Sequence, residues 1–208
     1  MGSVILLRVR LPDRPGTLGA VATAIGHAQA DIHAVEIVER GDGYAIDDFI
    51  LTMPGSVMPD TLVSHCAAVE GVEVVWLSRY AAHWGIESDI ETVNRMAEDP
   101  KAAGEILVED APVGFHCSWA LLVSAKGAVV HATPLAPELD HDGVVRLGSL
   151  DVLRTDELEA GWQPGWGTTV IAVAPLSRGR AIVLGRQGGP PYLRSELARL
   201  RHMAALAG

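Results

Sequence analysis

Cysteine is almost missing from this 208-residue chain: only Cys66 and Cys117 occur, one in each half. That number builds no disulfide framework, makes a bridge between the halves unexpected, and fits a reducing compartment. No apolar stretch approaches the roughly 18 residues a membrane span needs. No leader pattern precedes the first strand-like run, since Met1-Gly2-Ser3 leads straight into it and Arg8 ends it. Leu6 stands where a myristoylation pattern wants Ser or Thr. Positive charge is short as well, with 16 Lys and Arg against 26 Asp and Glu, a formal net charge of −10. The deficit is even: residues 1–80 hold 5 Arg and 10 acids, residues 81–208 hold 11 bases and 16 acids. An evenly acidic chain without a basic stripe excludes nucleic acid or an anionic membrane as the main partner. The G-x-S-x-G elbow, the Walker loop, H-E-x-x-H and the dinucleotide G-x-G-x-x-G are all absent. These absences predict a cytoplasmic protein with no cofactor and no catalytic residues, and with no nucleic-acid or membrane partner.

What is present is apolar material for two cores. The chain is 49% hydrophobic and 20% charged, with a mean hydropathy of +0.23, and its length suits one large domain or two small ones. Val4 to Arg10 alternates at its end, with Ile5, Leu7 and Val9 on one side and Arg8 and Arg10 on the other, as a strand with one buried face does. The turn Leu11-Pro12-Asp13-Arg14-Pro15-Gly16-Thr17-Leu18-Gly19 follows. Its Asp13 is a natural N-cap, Pro15 brings a fixed φ, and Gly16 lets another group approach the backbone. A helix with Leu18, Val21, Ile25 and Ala28 on one side is expected from about Gly16 to Gln29. Strands are expected at Asp31–Arg40 and Tyr44–Met53 around the hairpin turn Gly41-Asp42-Gly43. A helix opened by Pro59-Asp60 and a strand from Val72 to Leu77 complete a βαββαβ order, the ferredoxin-like arrangement. Two helices on one face leave the other face and the edges open to partners.

Asp13-Arg14-Pro15-Gly16-Thr17-Leu18 between the first strand and helix, Asp31-Ile32 opening the second strand, and Gly43-Tyr44-Ala45-Ile46-Asp47-Asp48-Phe49 in the third together resemble an ACT domain over about residues 3–80. ACT domains are regulatory modules that bind amino acids, usually between paired copies. The resemblance implies that Asp13 stands at the family's ligand-contacting Asn or Asp of the first turn, and Asp31 at the ligand-contacting Asn that opens strand two. Leu11 replaces the His of some serine-binding members, so the resemblance does not extend to serine. Two carboxylates near a helix N-terminus can hold an ammonium group while the N–H groups of Gly16, Thr17 and Leu18 take a carboxylate. Capping by Asp13, turn chemistry at Pro15-Gly16 and simple strand opening at Asp31 explain the same residues without a ligand.

Beyond a joint at 81–85, Asp89 to Glu98 and Lys101 to Val108 read as helical pieces, with Ala111-Pro112-Val113-Gly114 a loop. Strand-like segments follow at Ser118–Ser124, Ala128–Thr133, Val144–Leu147, Thr168–Ala174 and Ala181–Arg186, joined by tight turns as in a mainly antiparallel sheet. After Pro190-Pro191, Leu193, Leu197, Leu200, Ala204 and Ala207 line one face of a closing helix. The runs Ser118-Trp119-Ala120-Leu121-Leu122-Val123, Gly127-Ala128-Val129-Val130, Val173-Ala174-Pro175-Leu176 and Ala181-Ile182-Val183-Leu184-Gly185-Arg186, with the ending Pro191-Tyr192-Leu193-Arg194-Ser195-Glu196-Leu197, resemble a GAF-type sensory domain. Such domains often bind small molecules under a loop and dimerise through terminal helices.

Four further patterns bear on chemistry. Glu138-Leu139-Asp140-His141-Asp142-Gly143 lacks the length and terminal Glu of a calcium loop and reads as a solvated acidic loop; His116-Cys117 lacks a second pair at zinc spacing. Trp162 and Trp166, in a proline- and glycine-rich loop, read as core. Arg186-Gln187-Gly188-Gly189-Pro190-Pro191 before a helix resembles the acetyl-CoA turn of N-acetyltransferases except at Pro191, which removes a donor the phosphates want. The sequence therefore predicts an α+β protein with an ACT domain at 1–80, linking helices at 81–110 and a GAF-like domain at 111–208. The expected function is non-catalytic binding of a small amino acid by Asp13, Arg14, Pro15, Gly16, Thr17, Leu18 and Asp31 at the interface of a homodimer or higher even oligomer. The alternatives are an ACT-linked N-acetyltransferase and a dimerisation module with a vestigial site.

Overall fold

The computed structural model describes residues 3–79 and 86–208; the joint expected at 81–85 lies outside the described residues. The protein is mixed α+β and divides into two compact units, Met1–Ala82 and His83–Gly208.

The first unit runs β1 (Ser3–Pro12), α1 (Thr17–His27), β2 (Asp31–Arg40), β3 (Tyr44–Met53), α2 (Pro59–Ala67) and β4 (Glu73–Arg79). Its sheet has the order β2-β3-β1-β4, antiparallel throughout, which is the ferredoxin-like topology the element order predicts. The period-2 alternation of β1 puts Ile5, Leu7, Val9 and Leu11 into a core with Phe49, Leu51 and Met53 from β3, Val21 and Ile25 from α1, and Leu62 and Cys66 from α2. On the opposite face Arg8 stacks its charge directly across from Asp48, through bonds of 2.7 and 2.8 Å. This face is not open at its centre, contrary to expectation: Leu6, Arg8, Ile46, Asp48 and Ile50 are all buried. Strand β2 is an edge, and its Val35 and Ile37 remain 41% and 45% exposed. Leu18, expected on the apolar side of α1, points out at 40% exposure, and Thr17 is buried instead, one turn before Val21 on the face that meets the core.

The second unit runs α3 (Ile86–Glu98), α4 (Ala103–Gly114), β5 (Trp119–Val123), β6 (Val129–Ala132), α5 (His141–Arg146), β7 (Arg154–Leu158), β8 (Thr169–Pro175), β9 (Ala181–Gln187) and α6 (Arg194–Ala207). Its five strands form one antiparallel sheet of order β6-β5-β9-β8-β7. One face carries Ala120, Leu122, Ala172, Ala174, Ile182 and Leu184 against Leu107 of α4 and Leu200 of α6. The other carries Trp119, Leu121, Ile171, Val173 and Val183 against Val144, Leu147, Leu158 and Trp162. Both faces being covered, the central strands read as continuous apolar runs rather than as alternations. Met96, Ala103, Ile106 and Leu107, from the stretch expected to link two domains, lie in the core of this unit.

Three local expectations are corrected here. Residues 111–114 are not a loop: α4 continues through Pro112, which near the helix end sacrifices a single intrahelical donor. Val144–Leu147 is not a strand: Asp140 accepts from the Gly143 N–H at 2.8 Å and caps α5, so the cap overrides the β-branched pair. The edge strand β7, Arg-Thr-Asp-Glu-Leu, was not anticipated because its polar side chains carry no apolar alternation. Both cysteines are buried and unbridged.

Candidate functional site

The turn from β1 into α1 is held by backbone bonds. The Asp13 N–H donates to the Gly43 carbonyl at 3.2 Å, which ties the turn to the β2–β3 hairpin, and the Arg14 N–H donates to the Pro12 carbonyl at 2.9 Å. Gly16 is the N-cap of α1, with φ of 94° and ψ of −20°, a left-handed conformation that costs a residue with a Cβ far more than glycine. No side chain caps the helix and no acid sits in its first turn. Asp13 is thus not the N-cap expected from the sequence: the left-handed Gly16, three residues beyond it, takes that position, and no side chain caps the helix. The Thr17 N–H donates to the Arg14 carbonyl at 3.3 Å, so the capacity of the α1 N-terminus to receive an anion rests with its other opening N–H groups.

Around this N-terminus the residues divide by exposure. Asp13, Arg14, Pro15, Gly16 and Leu18 are exposed. The Asp13 carboxylate lies 4.0 Å from the Arg40 guanidinium, both side chains well solvated. Such a pair contributes about 0–1 kcal/mol and opens readily. Thr17, in contrast, is buried, and its Oγ1 has no hydrogen-bond partner among the described residues.

Asp31 opens β2 opposite Thr52, whereas Asp13 sits beside Gly43 and Tyr44 at the other end of β3. Eight residues of strand separate them, about 26 Å at roughly 3.3 Å per residue. Within one chain the two carboxylates are not brought together.

Two further residues belong to the Asp13 end. Asp47 of β3 stands opposite Val9 of β1 and Ile37 of β2, so its side chain shares the helix-bearing face. It is 2% exposed, and its Oδ1 has no hydrogen-bond partner among the described residues. Burial pushes its carboxyl above the usual range; Arg40 opposes this, and Asp48 and Asp13 add to it. Arg40, which pairs with Ala45 in register, reaches over the same face. The signal for Asp47 lay in the sequence: in Asp47, Phe49, Leu51, Met53 it is the acid in an otherwise apolar alternation. Asp48 next to it masked that signal.

The second unit holds other candidates. An open groove of about 800 Å³ is lined by Val129, Thr133, Glu138, Asp140, Arg146 and Gln163 among others. Two of its charged side chains already have structural work, Asp140 capping α5 and Arg146 donating to the Trp162 carbonyl at 3.2 Å. Trp162 is buried and packs with Trp119 and Trp166. Arg186, the cation of the acetyl-CoA-like turn, is 1% exposed. It donates to the carbonyls of Phe115 (2.8 Å), His116 (3.2 Å) and Pro190 (3.1 Å), pairs with Glu196 at 3.0 Å, and lies 4.0 Å over the Tyr192 ring. Its donors are turned inward, where a pyrophosphate has no access. Among the described residues no group of three or more His, Cys, Asp or Glu is placed to hold a metal ion, and no helix is long and apolar enough to cross a membrane.

Residues 5–61 match the family model of the ACT domain. Comparison with curated proteins gives no match. Similar solved structures include an unknown protein from Galdieria sulphuraria, 11% identical over 98% of this chain and 92% of that one, with a TM-score of 0.34. They also include a formyltetrahydrofolate deformylase from Pseudomonas putida, 13% identical over 46% of this chain and 38% of that one, TM-score 0.31. A protein provisionally designated a glycine cleavage system transcriptional repressor is 7% identical over 95% of this chain and 87% of that one, TM-score 0.31.

Proposed function

We propose that this chain is a regulatory protein that binds a small amino acid at the N-terminus of α1. In this reading Asp13, Arg14, Pro15, Gly16, Thr17 and Leu18 form one side of the site, and Asp31 of a second copy forms the other. The observation that carries it is the Gly16 cap: α1 begins with no side-chain cap and no acid, inside a segment matching the ACT domain. Exposed N–H groups at a helix N-terminus suit the carboxylate of an amino acid, and the neighbouring carboxylates suit its ammonium. Pairing of two copies along β2 is supported by the exposed Val35 and Ile37, apolar residues on an edge strand that also carries Asp31. Ligand and second copy would then be coupled, each strengthening the affinity for the other. The GAF-type reading of residues 111–208 rests on the antiparallel five-stranded sheet and the closing helix α6.

A thermal-shift screen of the twenty amino acids tests the proposal. A binder present at 100 times its Kd adds about 2.7 kcal/mol of apparent stability. Asp13→Ala, at an exposed position outside the core, is expected to keep the fold and abolish the shift. No shift with any amino acid would leave a dimerisation module; an undiminished shift in Asp13→Ala would remove Asp13 from the site.

A further inference from the structure

Asp47 is an acid in the wrong place for a structural residue. It is 2% exposed on the helix-bearing face of β3, with Oδ1 unpartnered among the described residues. Folded proteins satisfy the great majority of their buried polar atoms, so a buried carboxylate oxygen without a partner calls for a group that completes it. Thr17, the first residue of α1, holds a second such atom, Oγ1, on a residue 7% exposed. Both sit at the end of the sheet where Pro12 pairs with Tyr44 and where α1 begins. The Asp13 carboxylate is close enough to disfavour charge on Asp47. Arg40 lies near as well and forms its ion pair with Asp13. An N-terminus without a side-chain cap, two buried oxygens without a partner among the described residues and an exposed carboxylate thus belong to the same end of the sheet.

We propose that Asp47 is the carboxylate that receives the ammonium group of the bound molecule, which restricts this site to zwitterionic amino acids rather than carboxylates in general. The inference rests on the reading of the α1 N-terminus as an amino-acid site and adds a residue from β3 to it. The ammonium group lies between Asp47 and Asp13 and neutralises two carboxylates that otherwise repel. The Thr17 hydroxyl supplies a further bond, and the opening N–H groups of α1 take the carboxylate. A molecule lacking the ammonium leaves Asp47 buried and unpaired, and this is the source of the selectivity.

The test is calorimetry at pH 7 on the full chain and on Asp47→Asn, an isosteric change. The probes are the twenty amino acids, each set against its counterpart without the amino group: acetate for glycine, propionate for alanine, 3-hydroxypropionate for serine. The wild-type chain is expected to bind its preferred amino acid at least about tenfold more tightly than the counterpart, as the loss of a charged hydrogen bond dictates. Asp47→Asn is expected to lose about tenfold or more for the amino acid and to keep its affinity for the counterpart. Equal amino-acid affinity in the two proteins overturns the role of Asp47 and leaves the amino-acid reading standing. Equal loss for both probes makes Asp47 merely structural and also overturns it. If the wild-type chain binds no amino acid, both readings fall. Should Asp47→Asn not fold, Asp47→Ser takes its place and is read in the same way: selective loss of the amino acid supports the proposal, and equal affinity or equal loss overturns it.

Discussion

Asp47 and Asp48 are adjacent in sequence and opposite in circumstance. Asp48 faces away from the helices and is matched by two bonds to Arg8; Asp47 faces them, and its Oδ1 has no hydrogen-bond partner among the described residues. The pH dependence follows. The folded-state pKa of Asp47 is raised above 3.8 by burial, so the folded chain binds more protons than the unfolded one between the two values. Stability contributed by this group is therefore present at low pH and falls as pH rises through that window. Ligand-free Asp47→Asn is expected to have a higher Tm than wild type at pH 7, and the gain is expected to disappear at about pH 3, below the ordinary carboxylate range. Tm measured across pH 3–8 checks this; a variant less stable than wild type at pH 7 would show that the ionised form is welcome where it stands.

At the scale of elements, packing decided what propensity left open. The strands Asp31–Arg40 and Tyr44–Met53 stand where the sequence pattern puts them, because β-branched and aromatic residues bounded by a Gly-Asp-Gly turn leave little choice. Local signals were weaker in the second unit. The pair Val144-Val145 reads as strand, yet Asp140 caps a helix there; β7 has too few apolar residues to be seen; α4 absorbs a proline. For the site, Pro15-Gly16 was legible as a turn that bares a helix end, but the left-handed cap at Gly16 displaced Asp13 from the capping role. Asp47 escaped notice since its place depends on which face of β3 meets α1. A sharper test of element packing is Gly185. A Cβ there would overlap the Trp119 ring, which lies across the backbone of β9. Gly185→Ala is expected to destabilise the second unit by about 1–3 kcal/mol through overpacking, measured by urea denaturation. Substituting a smaller residue at Trp119 in the same chain is expected to return part of the loss.

For the molecule as a whole, each unit has its own core and its own buried thiol, Cys66 in the first and Cys117 in the second. Burial pushes the Cys66 thiol up to about 11 and the Cys117 thiol up to about 12, so neither is a competent thiolate at neutral pH in the folded chain. A thiol reagent in increasing urea therefore reads the opening of each unit separately. Cores of different size and composition are expected to open at different midpoints, with negligible labelling of either cysteine without denaturant. Coincident midpoints would mean that the two units unfold as one.

The indole cluster of the second unit carries a spectroscopic consequence. Trp119, Trp162 and Trp166 have ring centroids 5.8 to 6.3 Å apart and tilted planes. Chromophores so close and so skewed share their excited states, which gives the folded second unit a far-ultraviolet circular-dichroism couplet from the strong indole transition. The first unit, whose described indole is Trp76, has no such cluster. Light therefore distinguishes the two halves of this chain without any label attached.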